Sequence, residues 1–127
     1  MVEIWFSWGS GRMHLDMEAV SRDMEISKYR KWAKLFGQFA SEESHRKVVD
    51  FFKEKIAELK NAVSELEAEV AQLEGMADGS IYTNLAPKYC RQQAALKKKH
   101  LHGAQMALKR QEKLYSIVTD EIRKWTW

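Results

Sequence analysis

The sequence is poor in residues that crosslink or interrupt a chain. Its 127 residues include one cysteine, one proline and six glycines. Because Cys90 is alone, no intramolecular disulfide can form, which fits a reducing compartment, and we expect a cytoplasmic protein. No run approaches the roughly 18 apolar residues of a membrane-spanning helix, so no transmembrane segment is predicted. Scarce proline and glycine with 31% charged residues favour long solvated helices over a compact mixed fold.

An unbroken heptad pattern is the clearest feature that is present. Its apolar positions alternate three and four residues apart and are occupied by Val49, Phe52, Ile56, Leu59, Val63, Leu66, Val70 and Leu73. Such a stripe faces a partner along the helix, as in a coiled coil, and a stripe this narrow is not stable in water by itself. The pattern therefore predicts that helix packs on helix.

Three helices are predicted within a single helical domain over residues 13–127, at about 13–37, 41–74 and 87–125. Gly37 is a plausible stop for the first helix, and Ser41 is a typical N-cap for the second. Pro87 suits the first turn of the third helix, where its missing N–H costs nothing. The segment 75–86, which carries two glycines, is predicted to be the one substantial internal loop.

An aromatic segment, residues 1–12, precedes this domain. It ends in a Gly-Ser-Gly run at 9–11, which is typical of a flexible joint. The segment is either native or a short peptide appended to a domain that begins at Met13.

The second and third helices carry the same charge gradient along the chain. The second helix is basic early and acidic late, with Lys53, Lys55 and Lys60 followed by Glu65, Glu67, Glu69 and Glu74. The third is basic early and acidic late in turn, with Arg91, Lys97, Lys98 and Lys99 followed by Asp120 and Glu121. An antiparallel arrangement brings acid to base at both ends, and such pairs select orientation more than they stabilise. The sequence thus predicts an all-α fold, a long antiparallel helical hairpin within a three-helix bundle or a dimeric four-helix-type bundle.

Motifs for catalysis are scarce. No glycine-rich phosphate loop, nucleophile elbow or Cys-x-x-Cys pair occurs. Glu42 and His45 have the Glu-x-x-His spacing of di-iron bundles, but no second such pair accompanies them. His100 and His102 are two residues apart and point in different directions on a helix. We expect no enzyme, no metal and no cofactor.

The leading functional prediction is a non-enzymatic interaction or assembly module that forms a homo-oligomer. Helical packing would provide the self-association, and the 75–86 loop or the aromatic ends would dock a protein partner. Aromatic side chains are enriched at interface hot spots. The predicted partner-binding residues are Trp5, Trp8, Trp32, Phe36, Phe39, Trp125 and Trp127.

Two alternatives remain open at this point. The basic third helix resembles a surface that follows a phosphate backbone, which predicts nucleic-acid binding through Arg91, Lys97, Lys98, Lys99, Arg110 and Lys113. The segment 28–39 places cations around Trp32, a composition typical of helices that lie on an anionic membrane. The membrane alternative is the weaker of the two.

Overall fold

The computed structural model describes residues 3–8 and 11–126, with side chains described over 16–125. Its elements are β1 (Glu3–Trp8), β2 (Gly11–Asp16), α1 (Met17–Asp23), α2 (Ile26–Phe39), α3 (Glu42–Asp78) and α4 (Pro87–Thr126). Helices account for most of these residues, which confirms the predicted all-α class built on two long helices. Among the described helices, none combines the length and apolar character needed to cross a bilayer.

The chain divides into two compact units, each containing part of α3 and part of α4. Unit 1 is Met1–Ile56 with Arg110–Trp127, and unit 2 is Ala57–Lys109. The single domain predicted over 13–127 stays a prediction, because compactness alone does not show whether a unit folds independently. The appended origin of residues 1–12 also stays a prediction.

The beginning of the chain differs from the predicted helix. β1 and β2 form an antiparallel pair with Glu3 opposite Asp16, so residues 13–16 lie in a strand. α1 begins only at Met17, where the Asp16 carboxylate accepts a 3.0 Å hydrogen bond from the backbone N–H of Glu18. The predicted start at 13 was wrong because the aromatic, β-branched segment before it favours a strand, which recruits the next residues as its partner.

The predicted first helix is also interrupted, at Met24 and Glu25 between α1 and α2. The Arg110 guanidinium donates hydrogen bonds to the carbonyls of Ser21, at 2.8 Å, and Met24, at 2.7 Å. The Gln111 amide also donates to the Ser21 carbonyl, at 2.9 Å. Because donors from α4 satisfy these helix-end carbonyls, the break leaves few of them unpaired. Local sequence gives no sign of such distant donors.

The core of unit 1 draws on α1, α2, the beginning of α3 and the end of α4. Its buried members are Met17, Val20, Tyr29, Trp32, Ala33, Phe36, Val48, Phe51, Phe52, Leu114 and Val118. The Tyr29 hydroxyl donates a 2.7 Å hydrogen bond to the carbonyl of Leu114, so the polar atom of this buried ring is satisfied.

The connection between α2 and α3 is partly as predicted. The Ser41 hydroxyl accepts a hydrogen bond from the backbone N–H of Ser44 at 3.1 Å, which confirms the predicted N-cap. The predicted stop at Gly37 was wrong, since α2 continues to Phe39. Gly37 instead serves packing, because it lies against the backbone of Glu121.

Unit 2 consists of antiparallel segments of α3 and α4. Lys97 pairs with Glu69 at 2.9 Å and Lys98 pairs with Glu74 at 2.7 Å. Late α3 therefore lies beside early α4 across the short connection between Asp78 and Pro87, which confirms the predicted antiparallel hairpin and its charge pairing at this end.

In unit 1 the predicted charge pairing between α3 and α4 was wrong. Lys55 instead pairs with Glu18 of α1 at 2.8 Å. The acids near the end of α4 pair within their own helix, Asp120 with Arg123 and Glu121 with Lys124. The sequence argument considered only two helices, and a third one supplies the closer carboxylate.

The connection after α3 is shorter than predicted. α3 continues to Asp78, and Gly79 follows with φ +89°, a left-handed conformation typical of the residue that ends a helix. The backbone N–H of Ile81 then donates to the carbonyl of Gly75 at 3.0 Å. α4 begins at Pro87, as predicted.

Candidate interaction surfaces

The heptad stripe of α3 is only partly covered within unit 2. Val70 is buried, with 8% of its surface exposed. The other stripe members in this unit are half-buried, namely Leu59, Val63, Leu66 and Leu73. On α4, Cys90 and Ala94 are buried, while the larger Leu101 and Leu108 are half-buried. Two helices therefore leave part of this apolar seam in contact with water.

The connection between α3 and α4 presents apolar side chains to solvent. Ile81, Tyr82 and Leu85 are exposed, and Tyr82 is 89% exposed. Within the connection, the Tyr82 hydroxyl donates a 3.0 Å hydrogen bond to the Asn84 side chain. The predicted 75–86 contact segment is therefore apolar and accessible at its tip.

A further apolar surface lies on the outer side of α4 in unit 2, and we call it the α4 outer stripe: Tyr89, Leu96, Gly103 and Met106. Tyr89 is 48%, Leu96 46% and Met106 53% exposed. The sequence prediction did not include this surface. The seven-residue spacing of positions 89, 96 and 103 was the available signal.

The predicted partner-binding aromatics fall into three groups. Trp32 and Phe36 are buried in the core of unit 1, where their rings stack at 4.9 Å, so neither is available to a partner. Phe39 and Trp125 are exposed. The side chains of the other three lie outside the described residues: Trp5, Trp8 and Trp127.

The predicted nucleic-acid-binding residues are divided between internal and exposed roles. Arg110 is committed to the carbonyls that end α1, and Lys97 and Lys98 pair with acids of α3. The remaining three are exposed and form no ion pair in the part of the chain that the structure describes: Arg91, Lys99 and Lys113. The six residues therefore do not act as one continuous set of free cations.

Each unit has a cavity large enough for a small molecule. One in unit 2, of about 480 Å³, is lined by alanines and by charges of both signs, including Glu74, Arg91 and Lys98. The other, in unit 1, is about 390 Å³ and is lined by residues including His45 and Trp125. His45 Nε2 lies 2.9 Å from the Phe36 carbonyl, and Nδ1 is sealed within the fold without a partner. Neither cavity presents a convergent set of accessible groups.

Metal-ligating side chains do not gather over the described part of the chain, where no three His, Cys, Asp or Glu side chains are placed to hold an ion. Comparisons with protein-family models, curated protein sequences and solved structures find no match for this chain. The functional inference therefore rests on the surfaces themselves.

Proposed function

We propose that this protein is a non-enzymatic interaction module that self-associates through the helical hairpin of unit 2. The supporting observation is the apolar surface that the two helices of this unit leave uncovered, which comprises the α4 outer stripe and the half-buried seam, where Val70 alone of the α3 stripe is buried. Covering apolar surface is favourable by about 25 cal/mol per Å². Four helices cover more apolar surface than two, and a second copy supplies the additional pair.

The exposed tip formed by Ile81, Tyr82 and Leu85 is the proposed docking point for a different protein partner. Aromatic and aliphatic groups of this kind anchor interfaces because they bury much area with little loss of conformational freedom. Trp125, exposed at the end of α4, is a second candidate contact.

Light scattering coupled to gel filtration tests the self-association of the full chain over a wide range of concentration. We expect the mass of a dimer when the protein is concentrated and a fall toward the mass of one chain on dilution. The mass of one chain at every concentration would contradict the proposal.

Nucleic-acid binding is a second candidate function, supported by the exposed cations Arg91, Lys99 and Lys113, which have no ion-pair partner among the described residues. Binding of this type weakens steeply as salt rises. Retention on immobilised DNA at low salt that is reduced by Lys99→Glu, but not by Lys34→Glu on α2, would support it. No retention at low salt would remove it.

The membrane alternative needs the aromatic residues of segment 28–39 at the lipid surface. Because Trp32 and Phe36 are buried, the exposed residues of that segment are its cations, Gln38 and Phe39, and Phe39 is the one exposed aromatic side chain that could meet anionic lipid. Flotation with anionic vesicles tests this alternative, and failure of the parent protein to float would end it.

A further inference from the structure

We infer that the second copy packs on the α4 outer stripe of unit 2 and covers it with the acidic outer side of its own α3. This inference rests on the proposed self-association and specifies its surface. It commits to one occupant, a second copy of this chain.

The geometry of the stripe fits a helix as the covering element. Tyr89, Leu96 and Gly103 are seven residues apart, and Met106 follows Gly103 by three, so all four lie on one side of α4. The buried residues Cys90 and Ala94 lie on the opposite side, against α3. α4 thus has an outer apolar side in addition to the one it uses within the hairpin.

Gly103 leaves open space at the surface of the stripe. A Cβ placed at this residue would have nothing within 4 Å, so unit 2 does not need a glycine here to make room for its own packing. A glycine on the surface of a helix does allow another backbone to approach closely. A second copy would use the space that this subunit leaves open.

Charge complementarity identifies α3 as the covering helix. Lys99 and Lys109 are exposed on the outer side of α4, while Glu58 and Glu65 are exposed, seven residues apart, on α3. Over the described residues, none of these four takes part in an ion pair. A second α4 on the stripe would bring lysine against lysine, whereas α3 brings acid against base.

Two-fold symmetry allows this contact to form twice. Each copy carries both surfaces, so α4 of one copy lies on α3 of the other, and α3 of the first lies on α4 of the second. The resulting four-helix arrangement covers both outer stripes.

The first test compares dimer association constants of full-length variants by sedimentation equilibrium. Leu96→Lys combined with Met106→Lys is expected to weaken association by about a hundredfold, since buried interface anchors cost that much when they are lost. Ser27→Lys combined with Gln38→Lys is the matched control, because it adds the same two lysines at exposed residues of α2, outside the stripe. The control is expected to associate like the parent, and circular dichroism confirms that each variant is helical.

The second test reverses the charges. One variant carries Glu58→Lys with Glu65→Lys, and the other carries Lys99→Glu with Lys109→Glu. Each alone places like charges across the interface and is expected to remain monomeric. Mixed together, the two variants restore acid against base at both contacts, so a mixed dimer is expected to form.

The outcomes separate this inference from the function on which it rests. A parent protein that is monomeric at all concentrations would contradict both. A parent dimer with an unweakened Leu96/Met106 variant, or charge-reversed variants that stay monomeric when mixed, would overturn the assigned surface and leave self-association standing. Loss of association in the Ser27/Gln38 control would also overturn it, because that result points to added charge and not to the stripe.

Discussion

Gly37 of α2 lies directly against the backbone of Glu121 of α4. A Cβ at residue 37 would stand 2.8 Å from both the carbonyl carbon and the carbonyl oxygen of Glu121. Helix backbone cannot move aside as a flexible side chain can, and protein interiors leave little spare volume. The absence of a side chain at residue 37 therefore sets how closely α2 and α4 approach in unit 1.

Gly37→Ala is expected to destabilise the protein even though alanine favours helix. The added methyl group must push α2 away from α4, and such overpacking typically costs about 1–3 kcal/mol. Urea denaturation measures the change in the free energy of unfolding. Gln38→Ala, at the adjacent exposed residue, is the control and should leave that free energy nearly unchanged. Equal stability of Gly37→Ala and the parent would contradict the close approach.

Arg110→Ala is expected to destabilise the protein by about 1–3 kcal/mol, since the carbonyls of Ser21 and Met24 would lose a charged donor. Lys113→Ala removes a positive charge from an exposed residue of the same helix and should change stability by less than about 0.5 kcal/mol. Thermal or urea unfolding of the two variants makes the comparison. A similar effect of both would show that Arg110 does not hold the end of α1.

The burial of Tyr29 is expected to lower the free energy of unfolding at alkaline pH. Burial raises the pKa of its hydroxyl above the usual value of about 10, and Arg110 lowers it by a smaller amount. Because the folded pKa is raised, this contribution to stability is fully present below pH 10. It is lost as the pH rises above 10, where the unfolded chain ionises and the folded one does not.

Tyr29→Phe isolates that effect from the titration of the lysines, which both proteins share. Near neutral pH the variant should be about 1 kcal/mol less stable, because it lacks the hydrogen bond to Leu114. Above pH 10 this deficit should shrink and then reverse, by about 1.4 kcal/mol per pH unit. Tyr82→Phe, at an 89% exposed ring, should show no such trend. A deficit that stays constant with pH would contradict the account of Tyr29.

Substitutions at Gly79 test the left-handed conformation that ends α3. Its φ of +89° disfavours an L-residue, and nothing lies within 4 Å of a Cβ built there, so the cost of Gly79→Ala comes from the backbone alone. We expect a loss of about 1–2 kcal/mol. Gly79→Asn should lose less, because asparagine tolerates this conformation better. Equal stability of all three proteins in urea would contradict the helix end described here.

The features predicted correctly from sequence are those that repeat or that act locally. The heptad stripe predicted the long second helix, Ser41 its N-cap and Pro87 the beginning of the third helix. The charge gradient that both helices share, from basic to acidic, predicted an antiparallel hairpin, and the pair Lys98–Glu74 agrees with it. Each of these signals lies within the segment that it describes, or in a simple comparison of two segments.

The features that sequence missed depend on contacts between distant residues. The break after α1 requires Arg110, and the role of Gly37 requires Glu121. Trp32 was counted as a docking residue because its basic neighbours look like those of a surface helix, but its own ring is part of the core. Exposed Leu96 and Met106 were missed because the spacing of the stripe does not by itself say which side of α4 packs within the hairpin.

The central claim, self-association through unit 2, is tested most directly by methyl NMR of the full chain recorded from dilute to concentrated solution. We predict that the methyl signals of Leu96 and Met106 shift with concentration as molecular diffusion slows, while that of Leu85 stays in place. Spectra and diffusion rates that are identical at every concentration would contradict the claim.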